Sequence, residues 1–552
     1  MEKIFAMKTD YLRIRSTGWS RQPLGARRFS LTPALSRWER VNLAPHQRQV
    51  EPAGSRKIRH QPKRVGRDSL SQRERVGVRE RHLSLCSLIS RTHLGFSCRL
   101  IVLLTCLFAL AELAGVAVTA AEQKPDIIVI LSDDQGAYDV SWRGSEIKTP
   151  NLDALAKSGA TLEQFYVQPV CSPTRASLMT GRYPMRYGLQ VGVIRPTAQY
   201  GLPLEERMLP QALHEAGYTT AICGKWHLGS FDKAYYPHAR GFDHSYGHLF
   251  GALDYFTHVR DGKDDWYRDD VPLKEEGYST HLVANEAVRL VKAQPKDKPL
   301  FLYVPFNAVH APHQVPAQYK EPYKNLPEPR QTYAGMVAAM DEAIGKILGA
   351  LDASGRRKNA LIFFSSDNGG PNPGKVTSNG PLRAGKATLY EGGVQVVACA
   401  SWPGHIQPGG KVKALIHMTD LYPTLLTVAG ASLKQKLPLD GMNVLPCLTD
   451  GKPSPRKEIL HNTTPGGGAL RLGDWKLVLN GATAGGEDDE SAQPKAKKKK
   501  KGAMNGVELF NLANDPYEKT NLASQQSEKV KELTARYDAL AKQAVWPKNL
   551  KP

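Results

Sequence analysis

Between Pro125 and about Ala431 the chain alternates short, uniformly apolar runs with stretches in which apolar residues return at helical spacing. Asp126–Leu131 (DIIVIL), Thr219–Cys223, Leu300–Pro305 (LFLYVP) and Ala360–Ser365 (ALIFFS) lack the in–out alternation of a half-exposed strand, and so read as strands covered on both faces. Leu152–Ser158, Met208–Ala216 and Tyr333–Leu351 carry the helical period between them. The alternation predicts an α/β fold: a large, mostly parallel sheet sandwiched by helices. Beyond about residue 456, RLGDWKLVLN and ELFNLANDPYEKTNLA are strand patterns on either side of a polar insert, 481–505, and a helical pattern runs from about Gln525 to Lys542. A smaller C-terminal α+β domain over 456–552 is expected, with the Lys-rich insert as a disordered loop.

The first 98 residues show no sustained period and are rich in Arg, Ser, Gln and Pro. Such text cannot bury enough apolar surface to fold, so it reads as a disordered basic leader or a mis-assigned start. From Leu100 an apolar run follows Arg99 and ends in small residues. This reads as a signal peptide over 99–121, with Val118 and Ala120 at the positions a signal peptidase inspects. A membrane anchor is the alternative, since the run approaches spanning length. Both readings imply export, to the periplasm or the exterior, and cleavage would leave no stable membrane span.

A formal charge of +21 would suggest a polyanionic partner if it belonged to the folded body. Residues 1–100 alone hold 22 Lys+Arg against 7 Asp+Glu, and Lys495 and Lys497 to Lys501 add six more cations. The remainder is close to neutral, so no nucleic-acid partner is expected. A 41% hydrophobic and 23% charged composition is ordinary for a globular chain. Beyond the leader only Cys171, Cys223, Cys399 and Cys447 remain, without CxxC spacing; neither a zinc ribbon nor a disulfide framework is supported.

Polar residues that a core would reject follow each strong strand. Asp133 and Asp134 follow DIIVIL, and Asp367 and Asn368 follow the strand at Ala360. A single Asp there commonly caps a helix. Two pairs at the carboxyl ends of parallel strands can instead meet in one crevice, forming an oxygen-only set that favours Ca²⁺ or Mg²⁺. Lys225 and His227 follow Cys223, His310 follows LFLYVP, and Lys386 lies in GPLRAGKATLYEGG. Cationic and titratable groups on three segments beside a metal suit a tetrahedral anion. Cys171, ahead of a Pro-containing turn and a helix, is a candidate nucleophile.

The stretch CSPTRASLMTGR, Cys171 to Arg182, resembles the signature of the formylglycine-dependent sulfatase family, within the alkaline-phosphatase-like superfamily. Cys171, Pro173, Arg175, Thr180, Gly181 and Arg182 match it without a departure. GYTTAICGKWHLG, RGFDHSYGHLFGALDYF, FNAVHAPHQVP and LYEGG are most similar to its arylsulfatase B branch, the N-acetylgalactosamine-4-sulfatases. The resemblance implies a catalytic domain over 123–431 and hydrolysis of sulfate monoesters, of a sulfated glycan or an aryl sulfate. It implies that a formylglycine-generating enzyme oxidises Cys171, and that one Ca²⁺ is held by Asp133, Asp134, the converted Cys171, Asp367 and Asn368. By the same resemblance Arg175 steadies the formylglycine hydrate, Lys225 and Lys386 hold sulfate oxygens, His227 supports the hydrate, and His310 lies near the leaving group. A phosphatase or phosphodiesterase of the same superfamily, and an inactive sulfoglycan-binding protein, are the competing readings.

Overall fold

The structure is a computed structural model that describes residues 123–464, 467–479 and 506–550. The expected leader, signal peptide and Lys-rich insert lie outside the described residues. Among the described residues no helix is long and apolar enough to cross a membrane.

Ten strands form the main sheet: β1 (Asp126–Ser132), β2 (Ala160–Leu162), β3 (Thr219–Lys225), β4 (His244–His248), β5 (Tyr267–Arg268), β6 (Val271–Pro272), β7 (Leu300–Pro305), β8 (Ala360–Ser366), β9 (Ala398–Ser401) and β10 (Gly410–Val412). Their order is β10-β2-β9-β8-β1-β7-β3-β4-β5-β6. The run β8-β1-β7-β3-β4 is parallel throughout, and antiparallel β9 and β5 border it on its two sides. The expected α/β sandwich is therefore present, as a mixed sheet with a parallel centre. The short strands β2, β9 and β10 escape a reading by periodicity because three or four residues cannot establish one.

The flanking helices are α1 (Pro150–Lys157), α2 (Cys171–Thr180), α3 (Leu209–Glu215), α4 (Ser279–Ala293), α5 (Arg330–Ala353) and α6 (Leu421–Val428). Ile127, Val129 and Leu131 of β1 face a core shared with α2, α3 and α6, whereas Ile128 and Ile130 face one shared with α1, α4 and α5. Both side-chain sets of β1 are thus buried, which is why its sequence is apolar without alternation. Helix α5 begins at Arg330, ahead of the expected Tyr333, directly after Pro329.

The C-terminal part is a four-stranded antiparallel sheet of β11 (Glu458–Thr464), β12 (Gly467–Leu472), β13 (Trp475–Leu479) and β14 (Val507–Asn511), followed by α7 (Ser527–Ala541). RLGDWKLVLN, read above as one strand pattern, spans the end of β12 and all of β13, turning at Gly473 with φ +58°. Leu470, Leu477 and Leu509 pack on Leu533 and Tyr537 of α7. The opposite face, with Ala469, Val478 and Phe510, packs on Leu389 and Tyr390, a few residues beyond Lys386.

Candidate active site

Strand order brings the polar pairs together. Because β1 and β8 are parallel neighbours with Ser132 opposite Ser366, the next residues, Asp133 and Asp367, emerge side by side. The backbone N–H of Asp134 donates to Asp367 Oδ1 at 3.3 Å, and Asn368 Nδ2 donates to Asp134 Oδ1 at 2.7 Å. Lys225 ends β3, and His310 follows β7, the strand between β3 and β1. Two glycines permit this crowding. A Cβ on Gly224 would stand 2.0 Å from Pro305 O, and one on Gly369 would stand 1.8 Å from Gly392 O.

Cys171 is the first residue of α2 itself, and Pro173 sits in the first turn, where a missing N–H costs no helical hydrogen bond. The helix N-terminus thus faces the carboxylates, and Cys171 Sγ lies 3.5 Å from Asp133 Oδ1. The end of the signature is architectural. Thr180 Oγ1 donates to Ala176 O at 2.8 Å, Gly181 ends the helix at φ +67°, and buried Arg182 pairs with Glu206.

One turn along α2, Arg175 is fully buried and donates to Asp367 Oδ2 through Nε at 3.1 Å and Nη2 at 2.8 Å, and to Lys225 O at 3.1 Å. Lys225 Nζ donates to Asp133 Oδ2 at 2.5 Å, and Lys386 Nζ to Asp134 Oδ2 at 2.8 Å. Three buried carboxylates therefore face three buried cations, a neutral set in which each charge has a partner. Asn368 Oδ1 is the exception: it is buried without a hydrogen-bond partner among the described residues. Ligand atoms of Asp133, Asp134, Cys171 and His310 lie within 4.8 Å of one another. An orphaned buried oxygen among carboxylates is what a hard divalent cation satisfies, so the donor set fits Ca²⁺.

The site's electrostatics set protonation states. Burial, reinforced by Asp133 and Asp367, pushes the Cys171 thiol well above its ordinary range, so it stays protonated and is a poor nucleophile as it stands. Burial, with Lys225 and Arg175 nearby, holds His227 well below the imidazole range and therefore neutral. Its Nε2 lies 2.9 Å from Ile194 O, a pure acceptor, so the proton sits on Nε2 and Nδ1 is the basic nitrogen. By the same logic His310 Nδ1, 2.6 Å from Ala311 O, carries a proton, and Nε2 accepts from Lys386 Nζ at 3.1 Å. Burial opposes the charge on Lys225 and Lys386, but Asp133 and Asp134 with their neighbours outweigh it and raise both ammonium groups.

All ten residues singled out in the sequence converge here. Beyond them, the structure adds Tyr255, whose hydroxyl donates to Asn307 O at 2.7 Å and His310 O at 2.8 Å and so holds the His310 turn. It also adds Glu391, Lys476 and Glu518, a buried cluster behind the Lys386 loop. Lys476 Nζ lies 2.8 Å from both Glu391 Oε1 and Glu518 Oε1. A lone loop tyrosine has no spacing signal, and the cluster joins residues far apart in sequence.

The model of the Sulfatase family matches residues 125–431, the span that holds all ten residues singled out in the sequence, whereas Lys476 and Glu518 lie beyond it. Arylsulfatase J of Mus musculus is 38% identical over 463 residues, 77% of each chain. N-acetylgalactosamine-6-sulfatase of Mus musculus is 35% identical over 394 residues, covering 66% of this chain and 74% of its own. Among solved structures, Ps i-CgsB in complex with k-i-k-neocarrahexaose superposes with a TM-score of 0.68 at 33% identity, over 77% of this chain and 94% of its own. Sequence, fold and the convergence of one cysteine with buried acids and cations agree, and this chain belongs to the sulfatase family.

Proposed function

We propose that this protein removes sulfate from sulfated glycans, with Cys171, oxidised to formylglycine by a separate maturation enzyme, as the nucleophilic position. The observation that carries this reading is the convergence on Asp133 of Cys171, Arg175 and Lys225. A protonated buried thiol cannot serve that position, whereas an aldehyde hydrate would supply one hydroxyl to attack sulfur and a second through which sulfate departs. Asp133, Asp134, Asp367, Asn368 and the converted Cys171 would hold Ca²⁺, which when bound would acidify the attacking hydroxyl and draw charge from the ester oxygens.

The chain's own side chains do the rest. Lys225 and Lys386, held as ammonium groups, face the sulfate oxygens and offset the charge that shifts during attack. Arg175 is pinned by Asp367 and Lys225 O and steadies the nucleophilic residue from the next turn of the helix. Neutral His227, with its basic Nδ1, is suited to take the proton when the second hydroxyl collapses. His310 is oriented by Nδ1 against Ala311 O at 2.6 Å, which leaves Nε2 as the nitrogen on the side of the departing alcohol. Lys386, held as an ammonium, lies 3.1 Å from His310 Nε2 and orients the ring by donating to it.

Relatives include an N-acetylgalactosamine-6-sulfatase and a protein solved with a neocarrahexaose, which supports a sulfated sugar as substrate. N-acetylgalactosamine 4-sulfate, its 6-sulfate and carrageenan oligosaccharides are the sugars to compare, with export of the enzyme to where such glycans occur. The test is co-expression with a formylglycine-generating enzyme, mass spectrometry of the Cys171 peptide, and assay of released sulfate. Conversion with sulfate release is expected. Full conversion without release from any of these sugars or an aryl sulfate, or faster release of phosphate from a phosphate monoester, would overturn the reading.

A further inference from the structure

A second basic surface lies away from this chemistry. A cleft of about 1160 Å³ opens where the sheet-edge strand β10 meets the C-terminal part, and it shares no lining residue with the active site. Its walls are β10 and the residues after it, the end of the short helix Leu445–Thr449 with the loop 450–454 that follows, the β12–β13 turn and the start of α7. That volume exceeds the roughly 300–1,000 Å³ of a small-molecule pocket, and suits a segment of an oligomer.

The lining is rich in cations. Lys411 and Lys413 are exposed on either side of buried Val412, so the strand period directs both to the open side. Lys452 is exposed beside Gly451, which turns the loop at φ +64°. None of these three lysines forms an ion pair among the described residues. At the floor, buried Arg471 is oriented by Gln164 Oε1 at 2.6 Å and by Tyr166. Trp475 offers a half-buried ring, with Lys529 Nζ 6.0 Å from its centroid. Three acids also line the cleft, but Glu532 is already taken by Lys529 at 2.5 Å, leaving Asp450 and Asp474. The folded body is near neutral overall, so this excess of cations is local.

We propose that the cleft is a second, non-catalytic binding site for a sulfated polysaccharide chain. Free ammonium groups attract sulfate half-esters without demanding bidentate geometry, and the partly exposed Trp475 in the same lining offers apolar surface to a sugar ring. The site holds polymer against the enzyme while sulfate is removed elsewhere on the same or a neighbouring chain. The inference rests on the sulfated-glycan reading above for its ligand class, but not on turnover.

The test compares the full chain with its Lys411→Glu/Lys413→Glu/Lys452→Glu variant, both in a Cys171→Ala background for binding and matured for kinetics. All three side chains are exposed and outside the active site, and both proteins keep the lysine tract at 495–501, whose contribution cancels. Affinity for carrageenan is expected to fall about tenfold, with KM for the polymer rising in step and aryl sulfate turnover unchanged. Unchanged carrageenan affinity overturns the proposal, as does duplex DNA competing as well as carrageenan at equal charge. Failure of the matured enzyme to release any sulfate would sink the proposed function, while the binding comparison would still decide this site.

Discussion

Cys171 shows how much one position carries. Its thiol touches Asp133 only weakly, so Cys171→Ala should leave the melting temperature nearly unchanged while lowering turnover by about 10³-fold or more. Cys171→Ser separates the two halves of the chemistry, because a serine ester lacks the second hydroxyl. A single stoichiometric burst of alcohol followed by arrest is expected in rapid-quench kinetics, and steady turnover by the serine variant would refute the assigned role. Asn368 is the companion case. Its unpartnered Oδ1 predicts that Ca²⁺ raises the melting temperature of the parent protein, and that Asn368→Ala loses most of that rise. Calorimetry with and without chelator measures the difference, independently of catalysis.

At the scale of elements, helix α4 is tied to the far side of the sheet by Glu286, which takes His244 Nε2 at 2.7 Å and Arg289 at 2.7 Å. Burial acts to raise the Glu286 carboxyl, but hydrogen bonds from His244 and Arg289 outweigh it and bring it down to about 2. A carboxyl depressed in the folded state stabilises above its unfolded value, and that stability is lost as pH falls from the ordinary glutamate range toward 2. Glu286→Gln should therefore cost about 1 kcal/mol at neutral pH, after allowance for solvent screening, and little at pH 2. Chemical denaturation across that window checks the sign. The long strands and helices were legible in the sequence because two-sided burial leaves uniformly apolar runs. The hairpin β12–β13 and the edge strands were not, since their pairing is set by partners distant in the chain.

Over the whole molecule, the C-terminal sheet braces the active site through Lys476. Its ammonium group lies between Glu391 and Glu518, and Glu391 in turn accepts from Tyr166 OH at 2.5 Å. Glu391 sits five residues beyond Lys386, so the cluster anchors the loop that carries Lys386, the cation proposed above to face the sulfate. Lys476→Met would strand two buried carboxylates, at a cost of about 3–5 kcal/mol. A large fall in melting temperature is expected, with a rise in KM for sulfate esters at temperatures where the variant is still folded. A variant with parent stability and parent KM would remove the bracing role.

Sequence alone determined the chemistry to look for: a cysteine in an unbroken signature, four oxygen donors after two strands, and basic groups after others. Those residues are adjacent to recognisable strands and motifs, so local text exposes them. It also identified the α/β class, since burial on both faces is written into each strand. Only the tertiary structure decided the partnerships. That Asp133 faces Cys171 and Lys225, that His310 leans on Tyr255, and that Lys386 is braced by a second sheet follow from strand order and packing. Lysines scattered from 411 to 452 likewise become one cleft only when the edge strand and the following loop meet. Contacts between distant segments depend on which surfaces bury together, and no single stretch of sequence contains that choice.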